Sequence, residues 1–151
     1  SAQEAEDKLL QGRRLIAAGK LEAARDVNDS ILKQYPRHFG ALIQRSRLES
    51  ADDHYRLARQ YVESAYKAGA SEKWQYLALL RRLRKFNLIP EFRDIALRTP
   101  ENLASDPEIA VLVARLFGSI NDPRSALEFA EKALAANPNS PDLQAAIGLA
   151  H

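Results

Sequence analysis

The chain has 151 residues, 46% of them apolar and 28% charged, the balance of one ordinary folded domain, which excludes a disordered or fibrous polypeptide. Its apolar runs, such as Ile109 to Ala114, fall far short of the roughly 20 residues that a bilayer-crossing helix needs, and no charged-then-apolar leader opens the sequence. The lack of cysteine removes disulfides, thiolate nucleophiles and thiolate zinc sites, and a net charge of +2 argues against a dedicated nucleic-acid binder.

Glycine and proline punctuate long stretches of 3-4 apolar spacing, so almost the whole chain reads as helix and no segment alternates as a strand does. In chain order, Gly12 is followed by Ala24, Ile31 and Pro36 at steps of 12, 7 and 5. The same steps lead from Ser46 to Ala58, Ala65 and Ala70, and from Ala114 to Ala126, Ala133 and Pro138. The step from Gly12 to Ser46 is 34 and that from Ser46 to Ala114 is 68, twice 34, so the period is 34. The units run 5–38, 39–72, 73–106 and 107–140, with a partial fifth over 141–151 in which Gly148 stands one period after Ala114. Gly19, Pro36, Gly69 and Pro138 mark helix ends, while Asp106-Pro107, Asp122-Pro123 and Ser140-Pro141 mark starts, each a capping side chain before a proline whose missing N–H costs nothing there. Small residues at 114 and 126 let two antiparallel helices approach closely, and Ala133 admits the next unit. Units of this kind cannot bury their apolar faces alone and must stack.

The third unit departs from the pattern. Leu80 and Phe92 stand where the other units have small residues, so either the pair 72–86 and 90–98 packs more widely, or the pairing slips and Ala78 takes the small role. The last unit stops at His151 with Leu143, Ile147 and Leu149 apolar and no second helix after them, which reads as a piece of a longer chain whose exposed last repeat leaves self-association open. Asp52-Asp53-His54 falls at the start of a second helix, where capping is expected in preference to a metal site.

A 34-residue helix-turn-helix unit with small residues at these steps and a closing proline resembles the tetratricopeptide repeat family. The resemblance implies an all-α, right-handed superhelix of helix pairs forming a single domain over 1–151, with an irregular third repeat. It also implies a concave groove lined by the first helix of each repeat. The lysine and asparagine clamp by which some members hold chaperone C-termini is not matched, since Leu9, Arg13, Gln44, Trp74 and Ala78 stand at those places.

One residue after each small position stands an arginine, Arg13, Arg47, Arg81 and Arg115, and four residues before each arginine an aliphatic residue, Leu9, Ile43, Leu77 and Val111. By the resemblance both columns belong to the concave face, where guanidinium groups hold carboxylates bidentately and the aliphatic row takes apolar side chains. Trp74 with Arg81, Arg84 and Lys85 makes the middle the strongest anchor. The competing reading has the arginines bridging to acids of neighbouring repeats and the aliphatic column padding the interface between them.

No catalytic set is visible: His38, His54 and His151 lie far apart, and no phosphate loop or zinc-protease spacing occurs. The expectation is a non-enzymatic module that binds a protein or peptide partner, preferably carrying carboxylates, with no cofactor and no metal. A second reading is the N-terminal regulatory or substrate-presenting part of a larger enzyme, for which repeats resembling these precede sulfotransferase or glycosyltransferase domains. Single-stranded nucleic acid held by the RRLRK run from Arg81 to Lys85 with Trp74 is disfavoured by the net charge. The compartment is open, the cytoplasm being favoured over the periplasm.

Overall fold

Helices begin and end where the punctuation falls. The computed structural model describes residues 1–150, with side chains to Gly148, so the expectations placed on Leu149 and His151 lie outside the described residues. Among the described residues there are ten helices and no strand: α1 Ala2–Ala17, α2 Leu21–Gln34, α3 Phe39–Ala51, α4 Tyr55–Ala68, α5 Lys73–Lys85, α6 Ile89–Leu97, α7 Glu101–Ala104, α8 Pro107–Ser119, α9 Pro123–Ala136 and α10 Pro141–Ala150. No described helix is long and apolar enough to cross a membrane. The helices fall into two compact units, the first from Ser1 to Ser71 and the second from Glu72 onward.

The same turn closes the first helix of all four repeats. Gly19, Asp53, Asn87 and Asn121, each one period after the last, have φ of 76°, 62°, 59° and 59°. The next residue's N–H then reaches back five residues, from Lys20 to Leu15, His54 to Glu49, Leu88 to Leu83 and Asp122 to Phe117, over 2.8–3.0 Å. This left-handed closure satisfies carbonyls that a helix end leaves open, and glycine, asparagine and aspartate are the residues that enter it at least cost. In Asp52-Asp53-His54 the expectation of capping is corrected. Asp53 provides the left-handed turn, Asp52 pairs with Arg25, and the His54 side chain makes no cap hydrogen bond.

In the first unit α1 packs on α2, α3 on α4, and α3 against both α1 and α2. The small column is buried as expected, with Ala24, Ala58 and Ala65 at 0% exposure. At Gly12 a Cβ would meet Gln44 Oε1 at 2.8 Å, so any larger residue must displace the Gln44 amide, which donates from Nε2 to Leu9 O. Around it lies a buried polar cluster. Asn28 donates to Ala41 O and Gln44 Oε1, and Arg45 donates to Asn28 Oδ1 and pairs with Asp29. Glu49, 2% exposed, takes Arg25 Nε at 3.0 Å and Arg45 Nε at 3.4 Å.

In the second unit α5 packs on α6 and α8, and α10 on α8 and α9. α6 has nine residues against fourteen in α2, α4 and α9, because Pro100 cannot continue it and disfavours helical backbone at Thr99. The chain spends the difference in the single turn α7. Leu80 and Phe92 are both fully buried while Ala78 stays half-buried, so the pairing does not slip onto the alanine. Leu143 of α10 is buried against Ala110 and Ala133.

Asp122 caps α9 by accepting from Ser125 N at 3.1 Å, and Arg93 Nη1 donates to its other oxygen at 2.6 Å. The Arg93 hydrogen bond, then those from Ser125, lower its pKa from 3.8 to about 2. A carboxylate depressed by folding stabilises above its unfolded pKa and loses that contribution as pH falls through its folded one, here from about 4 towards 2. Asp122→Ala is expected to cost about 1–2 kcal/mol in urea unfolding at pH 7, and the deficit should shrink as the pH approaches 2. A pH-independent deficit would show that the cap acts without its charge.

Candidate functional site

The four arginines of the repeat column stand on α1, α3, α5 and α8, and all four are exposed. None of the four guanidinium groups makes a hydrogen bond or ion pair with another described residue. Arg25, Arg45 and Arg93 each hold a carboxylate, whereas Arg14, Arg56 and Arg124, exposed like the column, also have no side-chain partner among the described residues. An exposed guanidinium without a partner contributes little to folding, so the reason for the column is not found in internal bridging.

The aliphatic column is taken up mostly by the interior. Leu9 is 3% exposed, Ile43 6% and Leu77 9%, while Val111 is half-buried. In the first unit Leu9 packs with Ala5, Ile31 and Ala41, leaving Arg13 and Arg47 outside on the neighbouring helices α1 and α3.

In the second unit the first helices α5, α8 and α10 line, with the start of α9, an open-sided cavity of about 1270 Å³. Three layers line it, set by the helical rise of about 1.5 Å per residue. The first turns bring Lys73, Asp106, Glu108 and Asp142 to one end. One turn on, Val111, Leu112, Ala145 and Ala146 make an apolar middle, and a further turn on stand Arg81 and Arg115. From Lys73 to Arg81 is a step of eight and from Glu108 to Arg115 a step of seven, so the ends are separated by about 11 Å along the helices.

At the acidic end Lys73 Nζ lies 3.0 Å from Glu108 Oε1 and 3.1 Å from Asp106 Oδ2. Its two carboxylate hydrogen bonds, to Glu108 and then Asp106, raise the Lys73 pKa. Burial acts to raise the Asp106 carboxyl, but the Lys73 hydrogen bond and the α8 backbone amides hold it below its ordinary value. With one lysine against three carboxylates, that end carries a formal −2 and the opposite end, with two arginines, +2.

The remaining residues expected to anchor a ligand are spread out. Trp74, 44% exposed, donates from Nε1 to Glu72 Oε2 at 2.8 Å and does not line the cavity. Arg84 is committed to the end of α8, donating to Ser119 Oγ at 2.8 Å and Ser119 O at 3.3 Å. The Lys85 ammonium lies 5.7 Å from the Phe86 ring. Asp142, Ala145 and Ala146 were missed by sequence reasoning, although Asp142 stands one full period after Glu108.

No protein-family model and no curated protein matches the sequence. Among solved structures, a MamA protein superposes with a TM-score of 0.68 at 15% identity, over 99% of this chain and 82% of that one. YrrB, described as a TPR protein with an unusual peptide-binding site, superposes with a TM-score of 0.65 at 17% identity, over 95% of this chain and 74% of that one. A second MamA structure gives 0.65 at 16% identity, over 92% and 81%. The fold of this chain is therefore that of the tetratricopeptide repeat proteins.

Proposed function

We propose that this tetratricopeptide-repeat fold serves as a non-catalytic binding module for a protein or peptide partner that carries carboxylates. The observation that supports the reading is the pair Arg81 and Arg115, exposed, unpartnered among the described residues and opening onto the cavity of the second unit. Arg13 and Arg47 offer a similar exposed pair on the first unit. A guanidinium presents a planar fork to a carboxylate, and one with no internal partner gives up water and side-chain freedom on binding but breaks no ion pair. Joined to a catalytic domain, the chain would play the same part for that domain's substrate.

The test is selection from a random peptide display library against the immobilised chain and against an Arg81→Glu/Arg115→Glu variant, with circular dichroism confirming equal helicity. Sequences recovered by the wild type are expected to be rich in Asp and Glu, and that excess should vanish or reverse in the variant. An identical harvest from both would remove the arginines from any binding role.

A further inference from the structure

The cavity of the second unit is charged in order, not uniformly basic. We infer that its occupant is an extended peptide segment carrying a cationic residue, an aliphatic residue and a carboxylate at alternate positions. The inference rests on the binding role proposed above and adds the arrangement of charge that the ligand must have. Lys73, Asp106, Glu108 and Asp142 make one end net negative, Arg81 and Arg115 make the other positive, and Val111, Leu112, Ala145 and Ala146 leave the middle small and apolar.

The spacing selects the ligand's backbone. Alternate side chains of an extended segment point the same way, about 6.6 Å apart, so the first, third and fifth residues span about 13 Å. That matches the roughly 11 Å between the charged layers once the long side chains on both partners adjust. A purely acidic segment would satisfy the arginines but place a second carboxylate against Glu108 and Asp142, and a like-charge contact disfavours the wrong partner. The charge order therefore also fixes the direction in which the segment lies.

Four end-capped pentapeptides test this on the whole chain: Lys-Ala-Leu-Ala-Glu, its reverse Glu-Ala-Leu-Ala-Lys, a diacidic Glu-Ala-Leu-Ala-Glu and a dibasic Lys-Ala-Leu-Ala-Lys. Five residues are too few to form a helix in water, so binding reports the extended mode. By NMR titration, the better of the two mixed peptides is expected to bind about threefold to fivefold more tightly than either single-sign peptide, the effect of one exposed ion pair. Asp142→Lys brings the acidic end from −2 to 0 and should erase the advantage of the mixed peptide over the diacidic one, and Arg81→Glu/Arg115→Glu should move the preference to the dibasic one. If the diacidic peptide binds the wild type best and loses its affinity in the double-arginine variant, the charge-order inference is overturned while the carboxylate-binding function stands. Equal binding of all four, or binding of none at millimolar concentration, overturns both.

Discussion

Glu49→Leu is expected to lower the stability of the first unit by about 3 kcal/mol, a fall of about 6–12 °C in Tm, although leucine makes the repeats more alike. The residues in register with Glu49 are Leu15, Leu83 and Phe117, and those in register with Arg45 are Gln11, Leu79 and Val113, so α3 carries an ion pair where later repeats are apolar. Glu49 is held by Arg25 and Arg45, with His54 Nδ1 3.3 Å from its second oxygen. Removing the carboxylate leaves Arg25 with Asp52 and Arg45 with Asp29, but each guanidinium loses its most buried partner, and breaking charge-assisted bonds in a mostly buried cluster costs more than the cluster contributed as a whole. Glu49→Leu combined with Arg45→Leu should therefore recover part of the loss, which a double-mutant cycle in urea measures. Amide exchange over α2 and α3 locates the effect. A single variant within about 0.5 kcal/mol of wild type, the range of an ordinary surface substitution, would sink the argument.

The same cluster gives the first unit an acid sensitivity. Burial acts to raise the Glu49 carboxyl, but hydrogen bonds from His54 and Arg25 and the charges of Arg25 and Arg45 hold it below its ordinary value. The Arg25 hydrogen bond does the same for Asp52. Both groups are depressed on folding, so their contribution is complete above the ordinary carboxylate pKa and is lost as pH falls through the lowered one.

What was readable in the sequence and what was not divides along physical lines. The 34-residue period was readable because close helix contacts demand small residues, and smallness is a property of single letters at Gly12, Ala24, Ala58, Ala114 and Ala126. The turn column at 19, 53, 87 and 121 was overlooked because its requirement is a backbone angle that glycine, aspartate and asparagine meet by different means. The arginine column was readable as a column, but that its members are unpartnered depends on where carboxylates lie in space. Arg93 finds Asp122 on a distant helix and Arg81 finds no carboxylate among the described residues. Glu49 was hidden because a lone carboxylate on a helix ordinarily reads as a solvated face, and the Arg25 that helps to bury it comes from another helix.

Phe92→Ala carries the third repeat into line with the rest and is expected to destabilise the second unit by about 3–5 kcal/mol. Ala24, Ala58 and Ala126 occupy the equivalent places, so a reading by pattern alone makes the substitution neutral or favourable. Phe92 is 0% exposed, and its ring meets Phe117 edge-on with centroids 5.0 Å apart at 63°. Its counterpart on α5, Leu80, is also fully buried, so the helices here are arranged around large side chains. Truncation would leave a void that packing at native density fills only in part, and the loss would combine the transfer of the ring with the cavity it vacates. Trp74, the chain's one tryptophan, lies on α5 and reports unfolding of this unit by its fluorescence in urea. A loss under about 1 kcal/mol, well below the range for emptying a filled aromatic site, would mean that α5 and α6 close up to the spacing of the regular repeats. The bulk of Leu80 and Phe92 would then be tolerated by the third repeat and would not define it.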